Sequence, residues 1–188
     1  MTPQQVIRLL SLLTLISNIG VVLFIFLLVP QRTRQILRKK ISKYALSLSF
    51  LIALIATSGS LYFSEVAHFE PCKLCWYQRI LMYPLVFVLG TALLRSRKAS
   101  GPENLRPGRD VWNYVLPLSI TGGLIAAYHY YYQVTGNPLL PCSTVGFSVS
   151  CSERFFTYYG YITIPWMSLS AFILITFGMF LLGLSSKK

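Results

Sequence analysis

The chain has 188 residues, 54% of them hydrophobic, a mean hydropathy of +0.58 and a net charge of +12. Soluble domains run near 45–50% apolar with amphipathic stripes. Here the apolar residues collect in blocks, which excludes an ordinary soluble fold. The basic residues lie between those blocks, so the charge needs no nucleic acid to explain it.

The elements in chain order are five segments nearly free of charge: residues 9–29, 44–63, 76–94, 111–132 and 162–184. Each approaches the roughly 20 residues that cross a bilayer as a helix. The first is too long for the h-region of a signal peptide, only Arg8 precedes it, and no small-residue cleavage site follows. It reads as a retained helix. Arg32, Arg34, Arg38, Lys39, Lys40 and Lys43 separate the first two segments. Arg95, Arg97, Lys98, Arg106 and Arg109 separate the third and fourth, and Lys187 and Lys188 end the chain. The remaining loops hold Arg8, Lys73 and Arg154. Basic residues in short loops stay cytoplasmic during insertion, so the expected topology is five spans with the N-terminus out and the C-terminus in. The lipid bilayer is the first partner, and the basic loops can meet anionic lipid. In the second segment Thr57-Ser58-Gly59-Ser60 permits close helix packing. Pro84 is expected to kink the third.

Cys72, Cys75, Cys142 and Cys151 all fall in the two outer loops of this topology. That face is oxidising, so disulfides persist there. Two structural staples, Cys72–Cys75 and Cys142–Cys151, are one reading. Against it, a loop as short as Cys72-Lys73-Leu74-Cys75 gives little entropic stabilisation, and Cys-x-x-Cys at a helix start favours a reactive thiolate. Four cysteines also satisfy the ligand number of a zinc site. A c-type haem requires histidine directly after Cys75, where Trp76 stands.

Arg79 is the one Arg or Lys inside an expected span. It reads either as an interfacial anchor that snorkels or as a functional charge, since Cys75 and Arg79 stand at i and i+4 on one helix face. His129 and Gln133 bracket Tyr130-Tyr131-Tyr132 at the outer end of the fourth segment. An aromatic belt explains the tyrosines; the histidine lies at the depth of the Cys75–Arg79 face.

These residues resemble the DsbB/BdbC family of bacterial disulfide-generating membrane oxidoreductases, from about Tyr44 to Leu184. The anchors are Glu70-Pro71-Cys72-Lys73-Leu74-Cys75-Trp76-Tyr77-Gln78-Arg79-Ile80, His129 with Gln133, the pair Cys142 and Cys151, and Gly160-Tyr161-Ile162-Thr163-Ile164-Pro165. The wording around Cys75 is closest to the BdbC branch. The vitamin K epoxide reductase family places its loop pair before the Cys-x-x-Cys and fits less well. Two departures stand out: the added first span, and the eight residues between Cys142 and Cys151.

The resemblance implies an all-α integral membrane protein: a four-helix transmembrane bundle core, residues 44–188, preceded by an extra N-terminal transmembrane helix and basic cytoplasmic loop, residues 1–43. It implies a multi-pass protein of the bacterial cytoplasmic membrane with its active cysteines on the extracytoplasmic face. A reduced thioredoxin-fold partner, DsbA/BdbD-like, would attack the Cys142–Cys151 disulfide at Cys142. Cys151 would pass electrons to Cys72, and Cys75 would meet a quinone, menaquinone or ubiquinone. Arg79, His129 and Gln133 would line the quinone site, with no metal. A membrane protein with two structural disulfides, and a quinone-linked thiol reductase running the other way, are the competing readings.

Overall fold

A computed structural model describes residues 2–27, 31–98, 108–136 and 149–185. Cys142 and most of the loop between the third and fourth segments lie outside the described residues. The described chain holds five helices: α1 (Pro3–Leu27), α2 (Gln31–Glu65), α3 (Lys73–Lys98), α4 (Gly108–Thr135) and α5 (Ile164–Ser185). Four are long and apolar enough to cross a membrane: α1, α2 over Tyr44–Glu65, α3 over Lys73–Ser96, and α5. The expected fourth span corresponds to α4, which is not among them. The helix is there, but its C-terminal half includes Tyr128-His129-Tyr130-Tyr131-Tyr132-Gln133, and these polar tips dilute its hydropathy.

Helices α2, α3, α4 and α5 pack into one bundle in which α4 lies between α3 and α5, and α2 between α5 and α3. Leu85, Leu89, Val115, Phe172, Ile175 and Met179 form its fully buried centre. Lipid tails are as apolar as leucine, so helices associate in membranes through close packing and hydrogen bonds. Both are visible. Thr176 donates to Ser119 Oγ at 2.9 Å across α5 and α4. Gly122 lets the Phe172 ring lie against the α4 backbone, where a Cβ would stand 2.3 Å from it. Pro84 sits inside a helix assigned without interruption.

Helix α1 packs on α5 and α2, far more sparsely than the other four pack together. Leu10 covers Gly59, whose hypothetical Cβ would stand 3.0 Å from Leu10 Cδ1. Ser170 on α5 donates to Asn18 Oδ1 at 3.1 Å. These contacts set the N-terminal part of α1 at the cysteine-bearing end of the bundle.

That end is closed by an aromatic cluster. Phe69 stacks on Phe155 at 4.7 Å between centroids, and Phe63 meets Phe69 and Phe156 at 6.0 and 5.9 Å. The segment after α2 is thereby fixed to the segment after Cys151. A tight turn follows: Tyr158 and Ile162 pair backbone to backbone, and Gly160 takes φ +79°, a conformation glycine adopts without steric cost. Helix α5 then starts at Ile164-Pro165, where the missing proline N–H costs no hydrogen bond.

Candidate functional site

Cys72 stands immediately before α3 and carries the first helical bond: the Trp76 amide donates to the Cys72 carbonyl at 3.1 Å. It therefore holds the N-cap position, where a side chain meets the unpaired amides of the first turn and the positive end of the helix dipole. Cys75 is three residues on. The two sulfurs lie 3.3 Å apart as free thiols, close enough to hydrogen-bond or to close a disulfide with a small movement. Cys72 is buried, and its pKa is lowered from 9.0 to about 4. The largest cause is the hydrogen bond from the Cys75 side chain; His129 and the Cys75 backbone amide add to it, against the opposing effect of burial.

His129, on α4, is buried beside Cys72. Its Nε2 lies 3.1 Å from the Cys151 carbonyl and 3.6 Å from Cys72 Sγ. A carbonyl only accepts, so Nε2 carries the hydrogen. Nδ1 then accepts from Gln78 Nε2 at 3.0 Å. Gln78 thus fixes the tautomer, and the histidine presents one N–H to both the Cys72 sulfur and the Cys151 backbone. One turn further along α4, Gln133 donates through Nε2 to the Glu153 carbonyl at 2.9 Å, and Arg154 donates back to the Gln133 carbonyl. Cys151 is buried and disulfide-bonded.

On the other side of the cysteine pair is a cavity of about 390 Å³, within the size range of small-molecule sites. Cys75, Gln78 and Arg79 line its polar end together with Glu70, and residues of α1, α2, α3 and α5, with Phe69, Pro71 and Phe155 from the connecting segments, form the rest. Cys72, His129 and Gln133 do not line it; they share a much smaller space with Cys75, Ser150 and Glu153. The structure thus separates the residues singled out in the sequence into two groups, with Cys75 common to both.

Arg79 is 8% exposed. Its Nε donates to Ser60 Oγ at 2.9 Å and one terminal nitrogen donates to the Ser60 carbonyl at 2.8 Å. The guanidinium also lies 5.5 Å from the Trp76 ring centroid, a cation–π distance. All these partners are neutral, so they hold the group without cancelling its charge. Ser60 and Gln78 were not singled out from the sequence as functional. The first lay in a stretch read for small size alone, and the second inside the motif quoted around Cys75.

Cys72, Cys75 and His129 also bring three potential ligand atoms within 4.8 Å of one another. These are soft donors of the kind zinc takes, one short of a closed structural site.

The model of the disulfide bond formation protein DsbB family matches residues 42–182. The chain belongs to the DsbB family. It is 46% identical over 136 residues to disulfide bond formation protein C of Bacillus subtilis (strain 168), covering 71% of this chain and 88% of that protein. A probable disulfide formation protein C 1 of Bacillus cereus (strain ATCC 10987 / NRS 248) is 39% identical over 138 residues, 73% of this chain and 91% of the relative. A probable disulfide formation protein of Coxiella burnetii (strain RSA 493 / Nine Mile phase I) is 36% identical over 150 residues, 79% and 93%. No solved structure matches the chain significantly. DsbB membership and the apolar helices make this a multi-pass membrane protein, and membership implies thiol–disulfide oxidoreductase activity.

Proposed function

We propose that this DsbB-family protein reoxidises an extracytoplasmic thioredoxin-fold disulfide donor and passes the electrons through two cysteine pairs to a membrane quinone. One observation carries the reading: the Cys72–Cys75 pair stands between the backbone of Cys151 and an apolar cavity ending in Cys75 and Arg79. Thiols on one side and a lipid-soluble acceptor on the other is the arrangement such a relay requires.

A thiolate of the reduced partner attacks the Cys142–Cys151 disulfide and forms a mixed disulfide at Cys142. The partner's second thiol resolves it, so the partner leaves oxidised and Cys142 and Cys151 become thiols. The Cys151 thiolate then attacks Cys72 of the oxidised Cys72–Cys75 pair, releasing Cys75 on the cavity side. Cys142 resolves the Cys151–Cys72 bond, and Cys72 leaves as a thiolate, the state its surroundings favour. The reduced pair then holds the two electrons as the Cys72 thiolate and the Cys75 thiol, with one of the partner's two protons on Cys75 and the other released to water.

A bound quinone supplies the acceptor for those electrons. The cavity fits such a group: its walls are apolar, and a sulfur and a cation stand together at one end. Arg79 offers N–H donors and a positive charge where negative charge develops. The Cys72 anion, 3.3 Å from Cys75 Sγ, closes the disulfide as the pair is oxidised. His129, held by Gln78, supports the Cys72 thiolate, while Gln133 anchors the segment that follows Cys151. This assignment puts His129 and Gln133 on the disulfide-exchange side of the relay instead of against the quinone ring.

In this reading α4 crosses the membrane with its neighbours, giving five spans with the cysteines outside and the C-terminus inside. Membrane-impermeant thiol reagents then label reduced cysteines in intact cells; labelling only after permeabilisation overturns the topology. The activity is tested with purified protein, a reduced thioredoxin-fold protein and a quinone. Quinone reduction that depends on the thiol substrate is expected, and its absence with both benzoquinones and naphthoquinones overturns the proposal.

A further inference from the structure

Helix α1 lies outside the family match, which begins at residue 42. Its docking is nevertheless specific. Ile7 and Ser11 are buried and Asn18 is half-buried, one helical stripe at i, i+4 and i+11 that faces the bundle. Asn18 is tied to Ser170, and Leu10 covers Gly59. The neighbouring flank, with Leu10, Leu13, Thr14 and Ser17, borders the cavity that contains Cys75 and Arg79.

The charged residues of the cavity lie at one end, where Glu70, Cys75, Gln78 and Arg79 gather, and its other polar lining is hydroxyls, among them Ser168 and Ser170 on α5. Away from that end the opposing walls include Ile52, Ile55 and Leu174. Ile52 is eight residues along α2 from Ser60, the residue that holds Arg79, which is roughly 12 Å of helix. The hydroxyls of Thr14 and Ser17 bond to the carbonyls of Leu10 and Thr14 within α1. They are committed to the helix backbone, and the α1 wall meets a ligand as an apolar surface. The space suits a molecule with a small polar, redox-active head and a long hydrocarbon tail.

Resting on the function proposed above, we infer that α1 is part of the quinone site: it walls the slot that holds the isoprenoid tail while the ring meets Cys75 and Arg79. The family core thus carries the redox chemistry, and the added helix selects for quinones that bear a tail.

The test is steady-state kinetics on full-length protein with matched tailed and tail-less quinones, in both the benzoquinone and naphthoquinone series. Leu13→Trp puts an indole into the slot. It is expected to raise KM for the tailed quinone by about tenfold while changing KM for the tail-less ring by less than about twofold, with Leu13→Met restoring both. Leu12, beside it on α1 but outside the lining, is the control; Leu12→Trp is expected to change neither. Quinone-free single-turnover exchange with the reduced partner checks that each variant is folded and that the thiol relay stands. Equal KM changes for tailed and tail-less quinones overturn the role of α1, as does no change for either, the outcome if a phospholipid acyl chain fills the slot. Wild-type protein that exchanges thiols but reduces no quinone overturns the quinone reading itself, and this inference with it.

Discussion

Arg79 on α3 and Ser60 on α2 are joined by two hydrogen bonds, Nε to the hydroxyl at 2.9 Å and a terminal nitrogen to the carbonyl at 2.8 Å. The pair bridges the polar end of the cavity and fixes the guanidinium beside Cys75. Moving a cation to the centre of a membrane helix costs roughly 2.5–3.5 kcal/mol on insertion scales, and less near a helix end. That cost is offset here by neutral acceptors that leave the charge in force.

Substitution at this bridge is expected to act on the quinone step. Arg79→Lys keeps the charge but loses the planar fork; Arg79→Gln loses the charge as well. Raised quinone KM, slower quinone reduction or both are expected, of about tenfold for lysine and more for glutamine, with thiol exchange largely retained. Ser60→Ala removes one acceptor and leaves the carbonyl, so its effect is expected to be the mildest, on the order of 1 kcal/mol. Wild-type quinone kinetics in both arginine variants would reduce Arg79 to an interfacial anchor.

The two cysteine pairs are expected to divide the work. Cys142→Ser should abolish oxidation of the protein partner while leaving Cys72 and Cys75 able to be oxidised by quinone, read by mass-tagging of free thiols after a quinone pulse. Partner oxidation at the normal rate in this variant would reverse the assigned order.

Protonation gives an independent reading of Cys72. A lowered pKa means the thiolate is present above about 4 and is lost as pH falls through that value. The ultraviolet thiolate absorbance of the reduced protein, taken as the difference from Cys72→Ser, should therefore persist unchanged down to about pH 5, one unit above the midpoint. His129→Ala removes one of the contacts that lowers it, so the midpoint should move upward, toward the ordinary 9.0. Because the thiolate stabilises the reduced pair, the same variant should be less oxidising when equilibrated with a glutathione redox buffer. An unmoved midpoint would leave His129 with a packing role only.

The bundle core offers a test free of redox chemistry. A Cβ at Gly122 would stand 2.3 Å from the Phe172 ring, which is fully buried. Gly122→Ala is expected to destabilise by about 1–3 kcal/mol, the usual cost of overpacking. It should lower Tm in detergent, whereas Gly20→Ala, with nothing within 4 Å, should leave the packing of the bundle undisturbed.

Much of this was legible in the sequence because it is local. Charge-free runs mark helices, and Cys72 and Cys75 stand at a helix start because the apolar block follows them directly. Arg79 falls one turn below Cys75 by periodicity alone. The rest is tertiary. Nothing in the stretch around Ser60 reveals that its hydroxyl faces an arginine 19 residues on. The stack of Phe69 on Phe155 joins two connecting segments whose aromatics look like any interfacial belt. His129 and Gln133 lie at the depth of the cysteines, as their positions imply, but depth does not specify side, and they stand across the pair from the cavity. α4 reads as a span by its length and lack of charge, yet its tyrosine-rich C-terminal half keeps it out of the strongly apolar set.

The single Nε2 hydrogen of His129 has two claimants, the Cys151 carbonyl and the Cys72 sulfur. While the Cys151 segment is docked, the sulfur receives only a share of that bond. Withdrawal of Cys151 hands the whole of it to Cys72, and a thiolate so stabilised is a poorer nucleophile. On the relay proposed above, the loop's own backbone would act as a clutch on the reduced pair: once the Cys151 segment leaves, the Cys72 thiolate is at its quietest and is shielded from stray disulfides.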